Sequence, residues 1–250
     1  MTSIAILSAL DQEQHGLIGL LHRPTKVSHA GREFWLGDLH GQNVVLAISK
    51  MGKVAAATTA TALIERFGVQ RMVFTGVAGG LGLGASGVVK VGDVVVGQDF
   101  MQHDLDVSPL FPRYEVPLYG RARFAGDVSL TAALLEASRA ALSDSHLRQT
   151  YPAAKVHLGL IASGDRFVSN ALESNDLRTA LLAAGHEALA VEMEGAAVAQ
   201  VCHDYGVPFA AVRTISDRAD DSAHVDFPSF IDQVASKYAQ AIIEKFLKLL

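Results

Sequence analysis

The chain has 250 residues, of which 50% are apolar and 19% are charged, with a formal net charge of −5 and a single cysteine. This balance is typical of a globular protein with a sizeable core, and the acidic charge without a basic cluster disfavours nucleic-acid binding. No apolar stretch approaches the roughly 20 residues that cross a bilayer. Because the first apolar run leads directly into Asp11 and Glu13, it is typical of a strand rather than a signal peptide, and we expect a cytoplasmic protein.

Short β-rich runs alternate with helical patterns along the whole chain. Several of these runs are continuously apolar, which is typical of strands covered by helices on both faces. Because no repeat, low-complexity tract or linker interrupts the alternation, we predict one α/β domain over residues 1–250. The predicted strands occupy residues 4–8, 33–38, 43–49, 71–76, 93–98, 156–162, 188–192 and 208–215.

The connections between these strands contain several local signals. The four residues 39–42 contain His40-Gly41 and predict a hairpin between the second and third strands. Gly68 and Gly206 directly follow two helical patterns and predict left-handed caps. The segment 102–126 holds three prolines and little regularity, which is typical of a loop that covers an active site or docks a partner. The predicted helices occupy residues 53–67, 130–142, 177–184, 194–205 and 230–249.

Three acids stand at equivalent places in this pattern. Glu13, Glu194 and Asp217 each follow an apolar run. Taken singly, each has a structural explanation, since acids are favoured in the first turn of a helix and Asp commonly ties a turn. Because ligand crevices form beyond the carboxyl ends of strands in α/β sheets, their shared placement predicts one site that handles protons and hydroxyls.

The glycine-rich stretch 75–84 follows a predicted strand and contains five glycines. It leads toward another β-like run rather than a helix, and no Walker lysine follows, which disfavours nucleotide-cofactor binding by either mechanism. Two explanations stay open, a flexible connection and a close approach of backbone amides to a small ligand.

Other catalytic classes have weak support. His103-Asp104 has no second cluster with metal-ligand spacing, so we predict no metal. A serine hydrolase would need a Gly-x-Ser-x-Gly elbow, which the chain lacks. The lone Cys202 lies in a helical run and is predicted to be a small buried apolar residue rather than a nucleophile.

Eight blocks carry a family resemblance, in one order along nearly the whole chain: ILSALDQE (6–13), MGKVAAA (51–57), TGVAGGL (75–81), VGDVVV (91–96), HDLDV (103–107), ASGDRF (162–167), VEME (191–194) and RTISD (213–217). Together they resemble the 5′-methylthioadenosine/S-adenosylhomocysteine nucleosidases of the nucleoside phosphorylase superfamily. The resemblance implies a three-layer α/β/α fold with a central mixed, partly barrel-like sheet, usually as a homodimer without a cofactor. It also implies a small-molecule substrate, a nucleoside that is hydrolysed between adenine and a 5′-thio-substituted ribose.

The resemblance also implies catalytic roles. Glu13 would deprotonate the attacking water, which Arg213 supports, and Asp217, held by Ser216, would protonate N7 of the leaving purine. Glycosidic cleavage develops an oxocarbenium-like sugar and charge on the leaving base, so a base and an acid on opposite sides of the sugar are both needed.

The resemblance further implies a set of substrate contacts. Glu194 would bind the ribose hydroxyls with Met193 packed on the sugar, Phe167 would stack on adenine, and the backbone of Val168 would read the edge of adenine. Ala78 and Gly79 complete this part of the implied site. The wall at the 5′ end of the sugar is apolar, as suits an alkylthio tail, and consists of Leu10, Met51, Val107 and Phe227.

Departures from the family pattern bear on the nucleophile. Phe74 stands where related phosphorylases carry a phosphate-binding arginine, so we expect water rather than phosphate to attack. Val77 stands where the family often has a hydroxyl residue, so water positioning would depend more on Arg213 and Glu13. The loop from Ser108 to Gly126 is longer than usual. Two alternatives stay open: a nucleosidase for another purine nucleoside, such as aminodeoxyfutalosine or 5′-deoxyadenosine, and a non-catalytic ligand-binding relative.

Overall fold

The computed structural model describes residues 3–84, 87–143, 145–220 and 222–250. The strands are β1 Ser3–Ser8, β2 His22–His29, β3 Arg32–Leu39, β4 Gln42–Ile48, β5 Arg71–Gly80, β6 Leu83–Gly84, β7 Gly87–Val88, β8 Val94–Gln102, β9 Arg123–Ala125, β10 Val156–Ser163, β11 Ala188–Glu192 and β12 Phe209–Asp217. The helices are α1 Asp11–Ile18, α2 Lys53–Phe67, α3 Val128–Leu142, α4 Ser145–Thr150, α5 Ala171–Ala183, α6 Gly195–Tyr205, α7 Ala223–Phe230 and α8 Ser236–Leu247.

One mixed sheet organises the chain, and part of it closes on itself. Its strand order is β2-β3-β4-β1-β5-β12-β8-β10-β11, and β11 pairs again with β5. The closing pairs are antiparallel, Ala190 with Gly80 and Val191 with Gly79. Five strands therefore form a small barrel, β1 to β4 extend from it as an open sheet, and the short strand β9 pairs with β8. This confirms the central mixed, partly barrel-like sheet.

Helices cover both faces of the sheet. Alternate residues of β1 show the division, since Ala5 and Leu7 pack in one apolar cluster with α2 and α6, whereas Ile4 and Ile6 pack in another with α1, α3 and α8. Every one of these four side chains is fully buried. Burying such strands on both faces contributes about 25 cal/mol for each Å² of apolar surface, which explains why β1 is continuously apolar.

Several local predictions are confirmed. The hairpin lies between β3 and β4, with positive φ at His40 and Gly41. Gly68 and Gly206 cap α2 and α6 at φ 63° and 65°, in the left-handed region. Cys202 is buried, as predicted. No helix of the described residues has the length and apolarity that crossing a membrane requires.

Other boundaries differ from the predictions. The edge strand β2 was not predicted, because its sequence HRPTKVSH is polar and nearly all exposed. The predicted helix 230–249 begins at the last residue of α7, continues as a π-helical turn at Ile231–Ala235 and then forms α8, which ends at Leu247. The predicted strand 71–76 continues through the glycines to Gly80, because pairing with β11 and β12 keeps this backbone extended. Glycine-rich sequence therefore does not mean a flexible connection here.

Candidate active site

A cavity of about 70 Å³ lies where β1, β5, β11 and β12 end. The three predicted acids all line it, although they come from segments far apart in the sequence. Most of the other predicted contacts line it too. Its walls are formed by Ala9, Leu10, Glu13, Met51, Val77, Ala78, Gly79, Phe167, Val191, Glu192, Met193, Glu194, Ser216, Asp217 and Phe227.

Glu13 is held by three backbone N–H groups. Its Oε2 accepts from Ala9 N at 2.8 Å and Leu10 N at 2.9 Å, and its Oε1 accepts from Val77 N at 3.0 Å. Burial raises the pKa of this carboxyl, while these N–H groups and the charge of Arg213 oppose the rise. The side chain is thus fixed in orientation, and these three hydrogen bonds favour its charged form against the effect of burial.

Arg213 lies beside the cavity wall and is 1% exposed. Its Nη2 donates to Glu192 Oε2 at 2.6 Å and its Nε to the same oxygen at 3.2 Å. Its Cζ lies 4.1 Å from the centroid of the Phe74 ring, a cation–π distance. Phe74, which stands where related phosphorylases carry a phosphate-binding arginine, therefore packs against the guanidinium of Arg213.

One donor of Arg213 has no partner. Its Nη1 is buried and makes no hydrogen bond among the described residues. A Cβ on Gly76 would lie 3.3 Å from this Nη1 and 2.8 Å from Glu13 Oε1, so both groups pack against the bare backbone of Gly76. Only glycine fits there, because any side chain would collide with the carboxylate. A buried N–H group without a partner beside a carboxylate is uncommon in a structural ion pair, and it sets Arg213 and Glu13 apart from the surrounding core.

Glu192 organises this side of the site, and the sequence analysis missed it. Besides Arg213, it accepts from Gly195 N at 2.9 Å and Glu194 N at 3.1 Å, and from the Ser163 hydroxyl. It therefore binds the N-terminus of α6, where a carboxylate is favoured. Its place at the end of an apolar strand, two residues before Glu194, was the available signal.

Glu194 is 5% exposed, and its Oε1 accepts from Gly52 N at 2.8 Å. Burial first, and the nearby Glu192 carboxylate second, raise the pKa of Glu194 to about 8. With this pKa, the protonated form of Glu194 predominates at neutral pH. It can then both donate to and accept from a pair of ligand hydroxyls.

Asp217 is 2% exposed and lies at the end of β12. Its Oδ2 accepts from the Ser216 hydroxyl at 2.8 Å, and its Oδ1 accepts from Ala219 N at 2.8 Å. Burial raises the pKa of Asp217, against the effect of those two hydrogen bonds. A Cβ on Gly79 would lie 2.9 Å from Asp217 Oδ1, so the strand β5 approaches this carboxyl closely because residue 79 lacks a side chain.

Aromatic and thioether side chains form the outer wall. The rings of Phe167 and Phe227 lie 5.5 Å apart at 67°, an edge-to-face arrangement. Phe167 and Met51 are 43% and 59% exposed, so this wall borders the opening of the cavity. The acids are therefore deep, and the apolar residues lie between them and solvent.

Two predicted contacts do not line the cavity. The Val168 side chain is buried in a separate apolar cluster that also contains Leu81 and Met101. Val107 lies in the loop that follows β8, in Asp106-Val107-Ser108, and is half-buried outside the cavity. Arg213 acts from behind the wall rather than as part of it, since its guanidinium is covered by Glu192 and Phe74. Among the described residues, no group of three or more His, Cys, Asp or Glu could hold a metal ion.

Comparisons with known proteins agree with this geometry. A family model described as the phosphorylase superfamily matches residues 3–248. A 5′-methylthioadenosine/S-adenosylhomocysteine nucleosidase of Anoxybacillus flavithermus is 35% identical over 249 residues, which is 98% of this chain and 100% of the relative. The solved nucleosidase from Neisseria meningitidis, in complex with methylthio-immucillin-A, matches with a TM-score of 0.86 and 35% identity over 100% of both chains. A futalosine hydrolase mutant of Helicobacter pylori matches with a TM-score of 0.84 and 31% identity, also over 100% of both chains.

Proposed function

The chain belongs to the phosphorylase superfamily, and we propose that it is a nucleosidase that hydrolyses the N-glycosidic bond of 5′-methylthioadenosine and S-adenosylhomocysteine to release adenine. The observation that carries this function is the convergence of three buried acids, Glu13, Glu194 and Asp217, on one cavity. The resemblance found in the sequence motifs is confirmed by full-length relatives of that name.

Glu13 and Arg213 supply the nucleophile. The attacking water would donate to Glu13 at the cavity wall, and Arg213, whose charge lies close to this carboxylate, would support it. The three N–H donors keep the Glu13 carboxylate oriented while it takes the proton. Positioned general bases of this kind typically contribute about 10²–10⁴-fold to the rate. The Val77 side chain offers no hydroxyl, so these two residues hold the water without its help.

Asp217 supplies the proton for the leaving group. In this role the carboxyl passes a proton to N7 of adenine as the glycosidic bond breaks, and burial, which raises the pKa of Asp217, favours the protonated form. The same carboxyl accepts from the 6-amino group while it donates to N7, which favours adenine over a 6-oxo purine. Ser216 donates to Asp217 Oδ2 and orients the carboxyl for this transfer.

Glu194 binds the sugar in this proposal. Its Oε1 accepts from Gly52 N, and the rest of its carboxyl faces the cavity, where ribose hydroxyls would lie. Met193 and Phe167 would pack on the sugar and on adenine. These roles follow from the family resemblance and are supported by the position of each residue on the cavity wall.

Water is the nucleophile in this proposal because no Lys or Arg among the described residues lines the cavity, where phosphate would need a cation. Phe74 is fully buried, and the guanidinium of Arg213 packs over its ring. Arg213 is itself bound to Glu192, so its charge is already balanced. An anion without a free cation would bind weakly here.

A homodimer in the cytoplasm completes the proposal. Val54 and Leu110 are 78% and 80% exposed, and Lys53 joins their two segments through an ion pair with Asp104 at 2.6 Å. In this proposal both side chains belong to the surface that the partner subunit covers. A second copy of the chain would cover them and could place Val107 of one subunit beside the cavity of the other. Light scattering would measure the mass, and a monomer would contradict this part of the proposal.

A second candidate function of the same fold, hydrolysis of a futalosine-type nucleoside, has the support of one observation. The H. pylori futalosine hydrolase mutant is nearly as similar in structure as the nucleosidases. A futalosine-type substrate would place its larger 5′ substituent against Leu10 and Met51, which border the cavity. We favour the adenosine thioethers because this wall is apolar.

A substrate panel tests the function directly. The purified protein is incubated in phosphate-free buffer with 5′-methylthioadenosine, S-adenosylhomocysteine, aminodeoxyfutalosine, 5′-deoxyadenosine and inosine, and free base is quantified. We expect adenine from the two thioethers and no requirement for phosphate. Release of base from inosine alone, formation of a ribose 1-phosphate, or binding without turnover would each contradict the proposal.

A further inference from the structure

A second cavity of about 620 Å³ adjoins the active-site cavity and shares Ala9, Leu10 and Met51 with it. We call it the tail groove. Leu10 and Met51 are the apolar wall at which a 5′ thioether would end, so the tail groove begins where that wall stops. Its other residues come from the start of α1, the β2–β3 hairpin and the end of β4, and are Asp11, Ser28, Gly31, Arg32, Glu33, Ile48 and Lys50.

Lys50 is held in an unusual backbone conformation at this groove. Its φ is +68°, in the left-handed region that glycine adopts without cost and that residues with a Cβ rarely adopt. Lys50 is exposed, and its ammonium forms no ion pair or hydrogen bond with any part of the chain that the structure describes. Backbone strain that packing does not explain is a reason to ask what the side chain does.

The charges of the tail groove are only partly balanced from within. The Glu33 carboxylate is paired with Lys26 at 2.8 Å. Arg32 donates to two backbone carbonyls, those of Ala30 at 2.9 Å and Ala55 at 3.2 Å, which fix the guanidinium without neutralising it. Within residues 3–84, 87–143, 145–220 and 222–250, neither Arg32 nor Asp11 forms an ion pair. Two cations and one acid therefore remain for a ligand.

We propose that the tail groove recognises the amino-acid end of S-adenosylhomocysteine, with Lys50 and Arg32 attracting its α-carboxylate and Asp11 its α-ammonium. This proposal rests on the proposed function, since it requires the thioether to lie at Leu10 and Met51. The homocysteine carbons would carry the carboxylate about 5 Å beyond the sulfur, past that wall. The methyl group of 5′-methylthioadenosine would end at the wall, so the groove separates the two substrates by charge.

Four substrates show which charge of the 5′ tail, the carboxylate or the ammonium, the tail groove binds. They are S-adenosylhomocysteine, 5′-methylthioadenosine, 5′-(3-carboxypropylthio)-5′-deoxyadenosine, which lacks the ammonium, and 5′-(3-aminopropylthio)-5′-deoxyadenosine, which lacks the carboxylate. The kcat and KM of each are measured with the full-length protein and with Lys50→Gln, Lys50→Glu and Asp11→Asn. Lys237→Gln, a matched change at an exposed lysine on α8, is the control.

For Lys50→Gln we expect kcat/KM to fall by up to about fivefold for the two substrates with a carboxylate, the range of a partly exposed ion pair. The fall would be in KM with kcat unchanged, because the groove binds ground state and transition state equally. Lys50→Glu would extend it to about tenfold or more, Asp11→Asn would affect only the substrates with an ammonium, and added salt would reduce each effect. Lys237→Gln would change none of these values.

The outcomes separate the two proposals. If the unmodified protein releases no adenine from any of the four substrates, the proposed function itself is wrong. If it releases adenine but Lys50→Gln lowers kcat/KM equally for all four substrates, Lys50 only shapes the loop, and the tail groove proposal is overturned. Unchanged kinetics in both Lys50 variants would overturn it as well. If Lys50→Gln raised the KM only of the substrates with a carboxylate, while Asp11→Asn left the KM of the substrates with an ammonium unchanged, the role of Asp11 would be overturned.

Discussion

The buried acids of this molecule lie in two kinds of surroundings. Asp93, just before β8, accepts from Lys90 N at 2.9 Å and Lys155 N at 2.8 Å, and its Oδ2 lies 3.0 Å from His157 Nε2. The three acids of the active site instead border a cavity, and burial raises the pKa of each. The difference is access to the cavity rather than the number of partners, since Glu13 also accepts three hydrogen bonds. A carboxyl enclosed between strands holds them together, whereas one that borders a cavity is available for chemistry.

The largest expected effect is on turnover, at the cavity side of this comparison. Asp217→Asn removes the proton that the leaving adenine needs while it keeps the shape of the side chain. We expect kcat to fall by about 10²–10⁴-fold, the usual contribution of a general acid. Adenine release is measured beside the melting temperature, which should change little. Near-normal turnover would show that Asp217 is not the acid.

The positions of the three acids could be predicted, because each follows a continuously apolar run and the carboxyl ends of strands collect ligands. The pairing of Glu192 with Arg213 could not, since both lie inside buried runs and their contact depends on how two non-neighbouring strands meet in the closed barrel. For the same reason the closure through Val191 and Gly79 was not visible from hydropathy. The polar edge strand β2 and the unpartnered Nη1 of Arg213 could also be recognised only from the structure.

Glu192→Gln tests a carboxylate that belongs to both groups, since it lines the cavity yet is fully paired. The change leaves the Arg213 charge buried without its partner and turns an amide N–H₂ toward other donors. Breaking a buried ion pair from one side costs about 3–5 kcal/mol of stability. Chemical denaturation would measure the loss, with Glu136→Gln on the exposed face of α3 as the control. A loss equal to that of the control would mean that the pair contributes nothing.

Asp93→Asn is the counterpart at the structural site. Asparagine cannot accept at both ends of its amide, so at least one of Lys90 N, Lys155 N and His157 loses its partner. We expect about 1–3 kcal/mol of destabilisation, the cost of a buried donor left unpaired. The kcat at a temperature well below unfolding should be unchanged, unlike that of Asp217→Asn. If Asp93→Asn instead abolished turnover in a folded protein, paired and cavity-facing carboxyls would not divide by role.

The last expected effect is a slope with pH rather than a loss at one pH, and it concerns the proton on Glu194. The folded pKa is about 8 against an ordinary value of 4.5, so the folded state keeps a proton that the unfolded chain has released between these values. The stabilisation from this group is complete below about pH 4.5, and it is lost as the pH rises toward 8. Glu194→Gln lacks that proton exchange, whereas Glu13 and Asp217 remain in both proteins. The free energy of unfolding of the unmodified protein should therefore fall relative to the variant by up to about 1.4 kcal/mol per pH unit over this range. Denaturation curves at several pH values measure the difference, and parallel curves would mean that the Glu194 carboxyl is already ionised in the folded protein.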